Sequence, residues 1–139
     1  MQSSLVRLSS SLLLFAALLV GLVGCGEKKE KVDLNAQLAG LAGDTDAKVA
    51  ALAEIAKLGP EAAPAVPKVI PLLKDEDAVV RRTAAYVLGN VGPAAKAAVP
   101  ELKPMLQTTD RDQLTAVANA LRSIDPSSVA GVKVQNVSN

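Results

Sequence analysis

A shift of 33 residues brings the chain into register with itself without a gap. "DTDAKVAALAEIAKLGPEAAPAVPKVIPLLKDE" (Asp44 to Glu76) falls on "DAVVRRTAAYVLGNVGPAAKAAVPELKPMLQTT" (Asp77 to Thr109). Asp44 meets Asp77, Ala51 meets Ala84, Gly59-Pro60 meets Gly92-Pro93, Val66-Pro67 meets Val99-Pro100, and Pro71 meets Pro104. A third copy starts at Asp110, placing Val117, Leu121, Ile124 and Pro126 under Ala84, Leu88, Val91 and Pro93, and then loses the pattern. Such a duplication is a strong constraint, because each unit must fold alike and bury its apolar face against the next.

Within a unit the apolar spacing is helical. Ala84, Val87, Leu88 and Val91 form one i, i+3, i+4, i+7 stripe, and Val66, Val69, Ile70 and Leu73 form another. Each unit therefore reads as a helical hairpin. Asp77 and Asp110 stand where a carboxylate satisfies the free N–H groups of a helix start. Gly92 stands where a chain-reversing cap is needed, and Pro93 forbids continuation of the helix. Pro64, Pro67 and Pro71 crowd the second helix. A start near Val66 suits Pro67, whereas Pro71 removes a backbone hydrogen bond and predicts a bend. Its recurrence as Pro104 makes that bend an expected property of the unit.

These residues carry a resemblance. "DEDAVVRRTAAYVLGNVGP" followed by "AVPELKPML" resembles the HEAT and HEAT-like repeats, in which antiparallel helix pairs stack into a solenoid. The fold expected is thus all-α: a short α-solenoid of two and a half to three hairpins, with repeats at 44–76, 77–109 and 110–126 inside a domain of 34–126. Repeat one departs from the pattern with Lys48 at the position of Arg81 and Ala56 at that of Gly89, and repeat three carries Asp125 at that of Gly92. The resemblance implies that Arg81 reaches the Asp of a neighbouring unit, Asp44 or Asp110. "VDLNAQLAGLAG" (Val32 to Gly43) supplies a preceding cap helix through Leu34, Leu38 and Leu41. The tail 127–139 has no helical stripe and reads as loose, which leaves one face of the third pair uncovered and open to a partner or to a second copy in a homodimer.

Residues 1–24 combine Met1 and Arg7, an apolar block from Leu12 to Val23, and small residues before Cys25, the layout of an export signal. The block is short for a span of about 20 apolar residues. Leu22-Val23-Gly24-Cys25 resembles the lipobox of bacterial lipoproteins. That resemblance implies cleavage before Cys25, a diacylglycerol on its sulfur and acylation of the new N-terminus. Residues 25–33 then form a charged tether built on "EKKEK". The location expected is the cell envelope, anchored to the outer face of the inner membrane or to the outer membrane; the lipoprotein resemblance implies the latter in a cell that has one, because Gly26 stands after the Cys in place of the family's retaining Asp.

Removing residues 1–24, whose one charged side chain is Arg7, leaves fourteen basic and fourteen acidic side chains. That balance lacks the basic stripe of a nucleic-acid binder. Without a single His there is no imidazole base and no histidine metal ligand. Neither common spacing of a Gly-rich phosphate loop occurs, and no cofactor, metal or catalytic residue is expected. "DED" at Asp75, Glu76 and Asp77 has the composition of a hard-cation or acid/base site, but two of its positions match the repeat's cap register. Capping is therefore the reading favoured there. Arg82, beside Arg81, and Tyr86, the single aromatic after Cys25, are the candidate partner contacts.

The function expected is a non-catalytic, lipid-anchored interaction or scaffold module that binds an envelope protein. The alternative is an assembly factor or an accessory subunit of an enzyme, since some HEAT-like proteins act with a partner as lyases.

Overall fold

The computed structural model describes residues 32–130. The export signal at 1–24, Cys25, most of the charged tether and the end of the tail, 131–139, lie outside the described residues. The helices are α1 (Leu34–Gly40), α2 (Thr45–Leu58), α3 (Val66–Val69), α4 (Ala78–Val91), α5 (Val99–Met105) and α6 (Arg111–Ile124). Short 3-10 segments at Gly59–Ala65, Ile70–Lys74, Gly92–Ala98 and Pro126–Val129 join or extend them. No strand occurs among the described residues.

The three long helices follow the period. Asp44, Asp77 and Asp110 are their N-caps: Asp44 accepts from the Ala47 N–H, Asp77 from Val79 and Val80, and Asp110 from Asp112 and Gln113. Their other ends turn on glycine where the repeat supplies it. Gly59 and Gly92 have φ of +54° and +71°, a region closed to residues with a Cβ except at a strain cost.

The second helix of each hairpin is built differently from the expectation. In repeat one the α-helix that opens at Val66 ends at Val69, and the segment runs on to Lys74 as 3-10 helix. Pro60, Pro67 and Pro71 each stand in the first two positions of a short segment, where a missing N–H removes no intrahelical bond. Repeat two keeps α-helix from Val99 through Pro104 to Met105. Where a bend was expected at the same place in both units, the α-helix ends before Pro71 in repeat one and runs through Pro104 in repeat two.

Helices α2, α4 and α6 lie side by side, α4 packing on both neighbours, and the α3 and α5 segments form a second layer across them. The core lies between the layers. Ala84, Val87, Leu88 and Val91 of α4 are buried, as are Val66, Val69 and Leu73, and Val117, Leu121 and Ile124. Ile70 is only partly buried. Leu41 joins the core while Leu34 and Leu38 pack on its margin, so α1 covers part of α2 as a cap.

The far end differs from expectation. Pro126–Val129 is a 3-10 turn held to α6, with Ser128 buried and its hydroxyl donating to the Asp125 carbonyl at 2.7 Å, so the first residues of the tail read as loose are fixed. The exposed positions of α6 are Arg111, Asp112, Thr115, Asn119, Arg122 and Ser123. They are polar. Arg122 stands at the register of Gly89.

Candidate functional site on the α4–α6 flank

On α4, Val79, Arg82, Thr83 and Tyr86 follow i, i+3, i+4, i+7 spacing and share one stripe. It lies opposite the buried stripe of Val80, Ala84, Val87, Leu88 and Val91. Among the described residues the two exposed large apolar side chains are Val79, at 42%, and Tyr86, at 58%. Both sit on this stripe, seven residues apart. The exposed apolar side chains are thus gathered on one helix face rather than scattered.

Helix α6 supplies the other wall. Arg82, Thr83 and Tyr86 face Asp112, Thr115, Ala116 and Asn119 across a shallow groove of about 390 Å³. The Arg82 guanidinium pairs with the Asp112 carboxylate at 3.0 Å, and both side chains remain open to solvent. Such a pair contributes about 0–1 kcal/mol, so it can be exchanged for a partner's charge at little cost. The hydroxyls of Thr83 and Thr115 donate back to the Val79 and Arg111 carbonyls at 2.7 and 2.8 Å. Asn119 accepts from Arg122 at 2.9 Å, which leaves its amide N–H groups free to donate into the groove. The groove offers an aromatic ring, an exchangeable ion pair and amide donors, the materials of a recognition surface. Arg82 and Tyr86, singled out in the sequence, come together here; Asp112, Thr115 and Asn119 were not foreseen. They stand at the register of Val79, Arg82 and Tyr86, so the repeat period carried the signal.

Arg81 takes a different course from the one expected. It donates to the main-chain carbonyls of Asp75 and Glu76 at 2.7 and 2.8 Å, and its Nε donates to Gln113 Oε1 at 3.2 Å. The carboxylates of Asp44 and Asp110 are occupied as helix caps, while the Asp75-Glu76 turn presents two carbonyls toward the guanidinium. Arg81 therefore ties the turn before α4 to the buried Gln113 of α6.

The "DED" run is structural. Asp77 caps α4, and Asp75 pairs with Lys48 at 2.7 Å while accepting from the Asp77 N–H at 3.0 Å. The Lys48 hydrogen bond, followed by that from Asp77, holds the Asp75 carboxyl below the usual carboxylate range. Among the described residues no group of three or more His, Cys, Asp or Glu side chains is arranged to hold a metal ion. No helix among them is long and apolar enough to cross a membrane.

Comparison with the curated proteins returns no match. The family described as HEAT repeats matches residues 33–128, from the cap of α1 to the turn after α6 and more than two thirds of the chain, and the chain belongs to it.

Proposed function

We propose that this HEAT repeat chain is a lipid-anchored, non-catalytic module of the bacterial cell envelope that holds another envelope protein on its α4–α6 flank. The observation that carries the binding half is the gathering of both exposed large apolar side chains, Val79 and Tyr86, on one stripe of α4, of which Arg82, Thr83 and Tyr86 line the α4–α6 groove. Support for the anchoring half is the run Leu22-Val23-Gly24-Cys25 at the end of an apolar block. Two or three long acyl chains make release from a bilayer very slow, because each buried CH₂ contributes about 0.8 kcal/mol.

The two halves are tested separately. Intact mass of the membrane-fraction protein should fit cleavage before Cys25 plus acyl chains, and Cys25→Ser should abolish that mass. An uncleaved, unacylated chain removes the anchor. A photo-crosslinking residue at position 86, in intact envelopes, should give one discrete heavier product that Arg82→Glu weakens, while the same residue at position 64 gives none. Equal crosslinking at both positions removes the binding face.

A further inference from the structure

Charge is divided between the two layers of the fold. The second layer, 59–74 and 92–107, carries Lys68, Lys74, Lys96 and Lys103 against Glu61 and Glu101. The rest of the described chain, on α1, α2, α4, α6 and their turns, carries six basic and ten acidic side chains. One layer is therefore positive and the other negative. Lys74 pairs with Glu101 at 2.8 Å. Lys68, Lys96 and Lys103 are exposed, and Asp125 at the end of α6 lies within electrostatic reach of the last two.

The surface around these lysines has a regular make-up. Pro67 and Pro71 in repeat one, and Pro100 and Pro104 in repeat two, are all exposed at the same register. Pyrrolidine rings give a short, stiff surface with no side-chain charge, from which the lysines extend on flexible stems. That combination suits a broad anionic surface better than a pocketed partner.

Geometry limits which surface can be reached. Seven residues lie between Cys25 and Asp33, so a chain acylated at Cys25 can carry Asp33 no farther than about 28 Å from the anchor. Two helix layers of about 10 Å each come to about 20 Å, so that reach is about one and a half times the thickness of the domain. A domain on so short a tether stays within about 28 Å of the bilayer, and the field of an anionic leaflet acts on its orientation within about 10 Å of the surface.

We infer that the second layer, through Lys68, Lys96 and Lys103, lies against the anionic phospholipid surface that holds the acyl anchor, turning the α4–α6 groove away from the membrane. The inference rests on the anchored reading above and specifies the orientation of the anchored domain. The opposite, acidic layer is repelled by the same surface, so the two layers act together in setting the orientation.

The test is lysine footprinting of the full acylated protein, purified from membranes and reconstituted into vesicles of phosphatidylcholine alone or with phosphatidylglycerol. An amine-acylating reagent is applied and labelling read peptide by peptide. On phosphatidylglycerol vesicles, labelling of Lys68, Lys96 and Lys103, and of Lys74 in the same layer, should slow by about fivefold, reversibly with high salt. Lys57, on α2 in the other layer, should not change. Replacement of all three lysines (Lys68→Glu, Lys96→Glu and Lys103→Glu) should remove the lipid-dependent slowing at Lys74 while the protein still floats with the vesicles. Floating protein whose second-layer lysines label alike on both vesicles overturns the orientation and leaves the anchor standing. Protein that does not float overturns both. Equal labelling on vesicles with protection in intact envelopes overturns it in favour of an acidic protein partner.

Discussion

Gly89 and Ala120 meet at the crossing of α4 and α6 so closely that a Cβ placed on Gly89 lies 3.0 Å from the Ala120 Cα and 3.3 Å from its Cβ. The obstacle is the backbone of a buried helix, which cannot turn aside as a side-chain tip would. Gly89→Ala sets a helix-propensity gain of about 1 kcal/mol against an overpacking cost of about 1–3 kcal/mol. The packing effect should win. A net loss of about 1 kcal/mol, read as a lower urea midpoint, is expected, and a higher midpoint would show that the two helices separate freely.

Leu88 lies fully buried beneath the same crossing. Leu88→Ala should lose about 2–5 kcal/mol and, because α4 packs on both α2 and α6, melt the array as one unit. Tyr86→Ala, two residues away on the exposed stripe, should change stability by no more than about 0.5 kcal/mol. Unchanged helical circular dichroism melting in Leu88→Ala would refute the stacked arrangement.

Arg81 and Arg82 are neighbours with unlike roles, and lysine separates them. Arg81 serves three acceptors in two directions, which an ammonium on a flexible stem does not reproduce. Arg81→Lys should cost about 1–3 kcal/mol by leaving the buried Gln113 carbonyl unsatisfied. Arg82→Lys keeps an exposed pair and should cost less than about 0.5 kcal/mol. Equal thermal midpoints for the two variants would contradict the structural role of Arg81.

Asp75 makes stability depend on pH. Its carboxyl is held below the usual range, first by the Lys48 hydrogen bond, so its contribution is fully present above the unfolded value of about 4 and is lost as pH falls through the lower folded value. Protonation neutralises the carboxylate whose Oδ2 accepts from Lys48 and whose Oδ1 accepts from the Asp77 N–H, weakening both bonds. Urea midpoints measured from pH 5 downward should fall more steeply in the unaltered protein than in Asp75→Asn. Parallel slopes would mean the pairing contributes nothing to folding.

The three long helices are legible in the sequence because their determinants are local. A periodic aspartate opens each of them, and an i, i+3, i+4, i+7 apolar stripe names the buried face. The second-layer segments are less legible. Pro67 and Pro71 are compatible with a bent α-helix or with a chain of short starts, and packing under α4 decides between them. The target of Arg81 is invisible in sequence for a different reason: main-chain carbonyls carry no residue signature, and the aspartates that looked available are consumed as caps. Arg82 and Tyr86 stand out by residue type, yet their meeting with Asp112 and Asn119 depends on the angle at which α6 crosses α4. The close approach of the two helices is permitted by Gly89 and the small Ala120 opposite it.

The polar flank of α6 has a meaning in the language of crystal growth. A stack of identical units is a one-dimensional crystal, and each added layer needs a growth site shaped like the last. Gly89 provides such a site for α6. Arg122 occupies the same register one layer on, and a helix arriving there as α6 arrives on α4 would meet a long charged side chain instead of a gap. The site is poisoned, as an impurity blocks a crystal step. Head-to-tail addition of copies into a fibre needs each surface to match the last, and the α6 surface at Arg122 does not repeat the gap that α4 offers at Gly89.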